Sequence, residues 1–309
     1  MIHVYMRGRL GNQLFQYAFV RMLQFNNPEA EVCWHWNDVI SQGKEEEGWK
    51  NSLVDFNTIG TLSQAIEPKL NLLQKLIYRI YWMFYPHNAD IEVRNKYQLR
   101  WAPILNKCAL YYLDLGFFSF KKLLKNKCDV LISGNFESSR FFYEIDNQIR
   151  KEIIPRYPVM DHNIEMMDLI RTTNSVCVSI RRGDYINNNE TEKLLNICGK
   201  SYYDRAVLFI KEHVESPVLF FFSDDIEWVK TNLSYDLPCY YEKGDDPQWE
   251  KLRLMFSCHH FIIPNSTFAW WAQHLCSYPD KLVLAPSRWY NSRFVSALYE
   301  NHWVKISVE

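Results

Sequence analysis

Apolar residues along this chain recur at two spacings, and the switches between them predict strands and helices in alternation. The run Ile2-His3-Val4-Tyr5-Met6 is short and β-prone. Gly8 and Gly11 interrupt the pattern, and from Gln13 to Gln24 the apolar positions fall at helical intervals. The order is strand, glycine loop, helix. The second half repeats it more regularly. Apolar runs at Val176 to Ile180, Val218 to Phe222, Phe261 to Ile263 and Leu282 to Leu284 predict strands, and helical periodicity at Tyr202 to Val214, Ile226 to Leu233, Trp249 to Cys258 and Phe268 to Cys276 predicts helices between them. Strands alternating with helices build parallel sheets covered on both faces, so the expected fold class is α/β.

Pro155 and Pro158 precede a fresh helix-strand pattern and set a predicted boundary near Pro155 to Asp161, giving domains 1–157 and 158–309. The length, 309 residues, suits two domains of about 150 residues each. From about Glu67 to Lys127 aromatic and basic residues replace clean alternation, and the acceptor-facing part of the first domain is expected there. Between Lys69 and Lys127, eleven Lys and Arg stand against three acids (Asp90, Glu92, Asp114), a local +8 in a chain of formal net charge −1. A total so near zero gives no support for a polyanion binder, and nucleic acid is not an expected partner.

Leu70, Leu72, Leu73, Leu76, Ile77, Ile80, Tyr81 and Phe84 fall at helical spacing with Lys69, Lys75 and Arg79 among them. Two readings stand: a helix packed on the first domain, or one resting on an anionic membrane and bringing the protein to a lipid-linked glycan. The N-terminus lacks the basic start and apolar stretch of a secretory signal, and no window holds about 20 apolar residues free of charge. A soluble cytoplasmic protein, or one peripheral on the inner membrane face, is the expectation. Eight cysteines without a C-x-x-C pair argue against a thiolate zinc site and a dense disulfide framework, leaving buried reduced thiols.

Candidate chemistry gathers at strand ends. Val176 to Ile180 runs into Arg181-Arg182-Gly183-Asp184-Tyr185, which places two guanidiniums where open α/β sheets bind ligands. Their planar forks suit a diphosphate; a surface salt-bridge cluster is the alternative, and Asp184 could hold one of the two. After Phe261-Ile262-Ile263, the segment Asn265-Ser266-Thr267-Phe268 opens a helix, where Ser266 or Thr267 would cap free amides or help those amides bind a phosphate. Ser223-Asp224-Asp225 ends a third strand. Its acids fit an N-cap with hydrogen bonds to ribose or guanine, or a divalent metal, and the arginines make the metal unnecessary. Gly8-Arg9-Leu10-Gly11-Asn12-Gln13 lets backbone approach a ligand or simply turns tightly.

In this order, GRLGNQLFQYA (Gly8 to Ala18), SIRRGDY (Ser179 to Tyr185), YYDRA (Tyr202 to Ala206), FFSDDIEWVK (Phe221 to Lys230) and FIIPNSTFAWWAQHL (Phe261 to Leu275) resemble glycosyltransferase family 11, the α-1,2-fucosyltransferases. The resemblance is dense in the second half and thin between Trp34 and Lys127. It implies the GT-B arrangement, two Rossmann-like domains facing one cleft, with GDP-fucose on the C-terminal domain and a galactose-containing glycan acceptor on the N-terminal one. It also implies inversion at the fucose anomeric carbon, an α-1,2 product and no required metal or other cofactor. Related enzymes carry H-x-R-R-x-D, and this chain has Ser179 at the histidine position.

Carried over by position, Arg181 is the phosphate-binding arginine, Arg182 and Asp184 shape its surroundings, Ser266 and Thr267 bind the β-phosphate, and Asn12 points at the reacting centre. Gly11, Gln13, Ser179, Tyr185, Ser223, Asp224, Asn265 and Phe268, in the same matched segments, complete the expected substrate site. Asp184 and His3 are candidates for a base. Another fucosyl linkage, a protein acceptor, or a non-catalytic sugar-nucleotide-binding module are the alternatives.

Overall fold

In the computed structural model, residues 1–61, 66–120, 129–187 and 189–309 are described, with Glu46, Asp184, Asn187, Asn189 and Glu190 described in their backbone alone. The chain divides into two units, Met1–Ile154 and Pro155–Glu309.

The first unit runs β1 (Ile2–Tyr5), α1 (Leu10–Asn26), β2 (Val32–His35), α2 (Asn37–Ser41), α3 (Leu72–Met83), α4 (Ile91–Lys107), β3 (Leu110–Tyr112), β4 (Val130–Ser133) and α5 (Asp146–Glu152). Its four strands pair in parallel in the order β2-β1-β4-β3. The helix expected from Gln13 starts at Leu10, and the Gly8 turn feeds it at φ +68°, a left-handed conformation that glycine adopts without a Cβ penalty.

The basic aromatic middle holds two helices. Asn71 and Gln74 form a reciprocal capping box at the start of α3. Tyr81 then packs among Trp82, Tyr85, Tyr97, Trp101 and Tyr112, joining α3 and α4 to β3. This aromatic packing blurs the sequence pattern, because the buried face is built from rings that carry polar edges. The same helix leaves Leu72, Leu73, Leu76 and Met83 exposed, with Phe84 beside them. The packed reading of α3 holds along one face, through Tyr81, and the other face presents apolar side chains to solvent.

The second unit runs α6 (Ile164–Thr172), β5 (Asn174–Ile180), α7 (Gly183–Asn187), α8 (Asn189–Leu195), α9 (Lys200–His213), β6 (Pro217–Ser223), α10 (Ile226–Asn232), β7 (Cys239–Tyr241), α11 (Gln248–Ser257), β8 (His260–Ile262), α12 (Thr267–Leu275), β9 (Val283–Pro286) and β10 (Val304–Ile306). Six parallel strands pair in the order β10-β9-β8-β5-β6-β7. Val176, Val178, Leu219, Phe221 and Ile262 project into one core with Tyr203, Val207 and Ile210 of α9. Buried on both faces, these strands read as continuous apolar runs.

In each sheet one strand marks the place where the connection reverses direction. β5 lies between β6 and β8, and β1 lies between β2 and β4. Ligands of open α/β sheets bind outside the carboxyl ends of strands at such points. Among the described residues no helix is long and apolar enough to cross a membrane.

Candidate active site

The carboxyl ends of β5, β6 and β8 bring together most of the residues read from the second half. Val178 pairs with Ile262, so Arg181 and Asn265 both stand three residues beyond one rung of the ladder. The two loops are tied together: the Tyr185 hydroxyl donates to the Asn265 carbonyl at 2.8 Å. Asn265 itself is buried, its Nδ2 donating to the Leu195 and Trp289 carbonyls at 2.9 and 2.8 Å. Tyr185 and Asn265, expected to bind substrate, are thus committed to framework bonds that fix the crevice wall.

Arg181 Nη1 lies 2.7 Å from Asp224 Oδ2, while the other oxygen of Asp224 accepts from the Arg182 backbone N–H at 2.9 Å. Asp224 therefore orients the arginine loop from the neighbouring strand. Arg182 is held elsewhere: its Nε donates to Asp225 Oδ2 at 3.1 Å and its guanidinium stacks 3.6 Å from the Trp228 ring. The arginines diverge, as successive residues leaving a strand should. The partner expected for one of them was Asp184; the structure supplies Asp224 and Asp225, and the Asp184 side chain lies outside the described residues.

Asp225 also accepts from the Trp228 N–H at 3.3 Å and so caps α10. The Ser223 hydroxyl accepts from the Asp225 N–H at 3.0 Å, and the Ser223 N–H donates to Glu242 Oε1 at 2.6 Å. Burial pushes the Glu242 carboxyl up, with Lys251 at 3.2 Å opposing the shift. Ser223, Asp224 and Asp225 all have structural duties here, which is the N-cap reading of that segment.

At β8 the outcome differs from simple capping. Ser266 occupies the N-cap of α12, yet its side chain makes no cap hydrogen bond. Its N–H donates to the Pro264 carbonyl at 2.8 Å, and Thr267 and Phe268 beside it are partly exposed. A nine-residue helix thus begins, without a cap bond from the Ser266 side chain, at the strand end next to Arg181. Ser179, the position of the missing histidine, is buried; its carbonyl accepts from the Tyr203 hydroxyl at 3.2 Å.

The first unit has its own polar cluster at the carboxyl ends of β1, β3 and β4. Asn12 Nδ2 donates to Glu137 Oε1 at 3.0 Å. A Cβ on Gly8 would meet the Asn12 Cβ at 2.9 Å, so glycine is what lets this side chain lie over the turn. Burial pushes the Glu137 carboxyl up to about 8, and the charge of Asp114 adds to the shift. Asp114 accepts from the Tyr112 hydroxyl at 2.5 Å and faces Arg7 at 3.7 Å.

Gln13, expected to bind substrate, is engaged within the fold. Its Nε2 donates to the carbonyls of Gly8 and Lys50 at 2.9 and 2.8 Å, and its Oε1 accepts from the Ser52 N–H at 3.0 Å, so the buried amide knits the turn to the following segment. Gly11 is likewise buried in α1. His3 is fully buried in the second position of β1, beside Asp129 and His35, and burial lowers its pKa. This corrects its reading as a base. Glu137 was missed by sequence reasoning because it follows β4, a four-residue strand whose apolar run went unread.

The description Glycosyl transferase family 11 matches residues 112–307, and the chain belongs to this family of glycosyltransferases. It is 28% identical to an Escherichia coli alpha-1,2-colitosyltransferase over 97% of this chain and 96% of that one. It is 23% identical to the Escherichia coli O-antigen biosynthesis glycosyltransferase WbnK over 97% of this chain and 98% of that one. To the Homo sapiens galactoside alpha-(1,2)-fucosyltransferase 1 it is 27% identical over 58% of this chain and 53% of the relative. Among solved structures, the alpha-1,6-fucosyltransferase NodZ co-crystallised with GDP has the same fold at a TM-score of 0.52, with 10% identity, covering 88% of this chain and 91% of that one. The fold is therefore α/β and GT-B-like.

Proposed function

We propose that this chain transfers L-fucose from GDP-fucose to a galactoside hydroxyl of a glycan, forming an α-1,2 linkage with inversion and without a metal. The observation that carries this reading is the crevice at β5 and β8, where Arg181 and the start of α12 stand at adjacent strand ends. The acceptor oxygen forms its bond to the fucose anomeric carbon as the bond from that carbon to the β-phosphate oxygen breaks. Both electrons of the broken bond leave with GDP, and the hydroxyl proton passes to a nearby oxygen or to water. Donors that strengthen as charge grows on the β-phosphate lower the barrier, and Arg181 with the first amides of α12 is such a set. In this reading Asn12, its amide held by Glu137, helps to orient the acceptor hydroxyl.

A second donor is favoured by one observation, the near full-length similarity to an α-1,2-colitosyltransferase. Colitose is fucose lacking its 3-hydroxyl, so a site for one differs from a site for the other by the groups around that carbon. The test is transfer from GDP-fucose and from GDP-colitose to a panel of β-galactosides, with the linkage read by NMR. An α-1,2-fucosyl product supports the proposal; turnover of GDP-colitose alone replaces the donor; no transfer to any sugar with either donor overturns it.

The exposed Leu72, Leu73 and Leu76 of α3, flanked by Lys69, Lys75 and Arg79, would rest on an anionic cytoplasmic membrane face and bring the enzyme to a lipid-linked acceptor. Flotation with anionic liposomes at low salt tests this: protein rising with the lipid supports it, and full recovery in the soluble fraction removes it.

A further inference from the structure

A second cluster of chemistry-bearing side chains lies in the first unit, on the pair β1 and β2. His3 pairs with Cys33 and Tyr5 with His35 in parallel register. Residues two apart on a strand share a face, so His3, Tyr5, Cys33 and His35 project on one side of the sheet. His3 and Cys33 are fully buried and His35 half-buried. One ligand-capable atom from each of His3, Cys33 and His35 lies within 4.8 Å of the other two. His3 Nδ1 is 3.0 Å from His35 Nε2, and Cys33 Sγ is 3.5 Å from the same nitrogen.

Those spacings can be compared with a metal's demands. Zinc binds imidazole nitrogen at about 2.0–2.1 Å and thiolate at about 2.3 Å, so neighbouring tetrahedral ligands sit about 3.3 Å apart for two nitrogens and about 3.5 Å apart for nitrogen and sulfur. The Cys33–His35 sulfur–nitrogen distance already fits, the His3 and Cys33 atoms lie within 4.8 Å, and the nitrogen pair needs to open by about 0.3 Å. The outer arrangement fits as well. His3 Nε2 is buried without a conventional hydrogen bond and lies 3.3 Å from Asp129 Oδ2, while Asp129 Oδ1 takes the terminal amino group at 3.2 Å. A carboxylate behind a ligating histidine fixes its tautomer and raises its basicity. Tyr5 stacks on His35 at 4.5 Å and holds that ring.

We propose that His3, Cys33 and His35 bind one zinc ion that ties β1 to β2, with a water in the fourth position. The site shares no residue with the crevice of Arg181 or with the Asn12–Glu137 pair. A search for paired cysteines misses it because it draws one thiol and two imidazoles from adjacent strands.

The test uses the full chain, stripped with a chelator and titrated with cobalt(II), whose thiolate charge-transfer band and visible d–d bands report a cysteine-containing tetrahedral site. One cobalt per chain, displaced by zinc, with the charge-transfer band lost in Cys33→Ser, is the expected result. His35→Gln, which keeps the thiol, should weaken binding at least tenfold, and zinc should raise the melting temperature of the natural chain but not of this variant. No band at saturating cobalt, or one that survives Cys33→Ser, overturns the proposal and leaves a metal-free hydrogen-bonded pair of histidines.

Discussion

Glu137 Oε1 accepts a hydrogen bond from Asn12 Nδ2 at 3.0 Å, and this contact joins the turn after β1 to the loop after β4. Held by Glu137 and lying over Gly8, the Asn12 amide has its direction set before any ligand arrives. With its pKa raised to about 8, Glu137 is mostly a neutral acid near pH 7 and acts as a carbonyl acceptor toward Asn12. Glu137→Gln should therefore keep transfer within a few-fold. Glu137→Ala should lower kcat about a hundredfold, the scale of a reacting group misplaced by about 1 Å. Equal loss in both variants would show that the ionised carboxylate itself is needed.

The same carboxyl makes stability depend on pH. Its folded pKa, about 8, lies above the ordinary 4.5, so the folded state holds the proton more tightly. Its contribution is fully present below pH 4.5 and is lost as pH rises through 8. Melting temperatures of the natural chain and Glu137→Gln should run together below about pH 4.5, diverge between there and pH 8, and keep a constant gap above it, with the variant the more stable. Parallel curves throughout would mean that Glu137 is not desolvated.

Gly183 leaves just enough room for Asp224. A Cβ there would come within 2.7 Å of Asp224 Oδ2, the atom that pairs with Arg181. Gly183→Ala should push that flexible carboxylate aside, costing little in melting temperature while raising the KM for the sugar nucleotide about tenfold or more, as expected for loss of a positioned charge contact. An unchanged KM would show that Asp224 does not set the arginine's position.

Legibility in the sequence followed burial. β5, β6, β8 and β9 stand out as apolar runs because both faces of their sheet are covered, and the helices between them keep clean periodicity. The three-residue strands β3, β7 and β10 lie at sheet edges, where short runs are not covered by strands on both sides as β8 is, and α3 and α4 hide their pattern in rings with polar edges. At the site, the arginine pair and the start of α12 were readable because both sit where a strand pattern stops. Gln13, Tyr185 and Asn265 were read as ligand contacts, yet their polar groups are used by backbone partners distant in sequence. Such long-range pairing leaves no local signal, and neither does the meeting of Asn12 with Glu137.

Chelation separates the two metal questions. With EDTA present, GDP release and transfer should continue at the untreated rate, since Arg181 and the α12 amides supply the charge stabilisation. The melting temperature should fall if zinc occupies the β1–β2 pair. Loss of transfer restored by manganese, but not by zinc, would instead assign Asp224 and Asp225 to a catalytic metal.

The most direct test of the central claim is GDP release from GDP-fucose with a β-galactoside acceptor, comparing the natural chain with a folded Arg181→Ala variant. The account predicts release that requires the galactoside and falls at least about a hundredfold in the variant, the loss expected for one oxyanion-stabilising donor. Release unchanged by Arg181→Ala would contradict it and move the donor phosphate away from the crevice between β5 and β8.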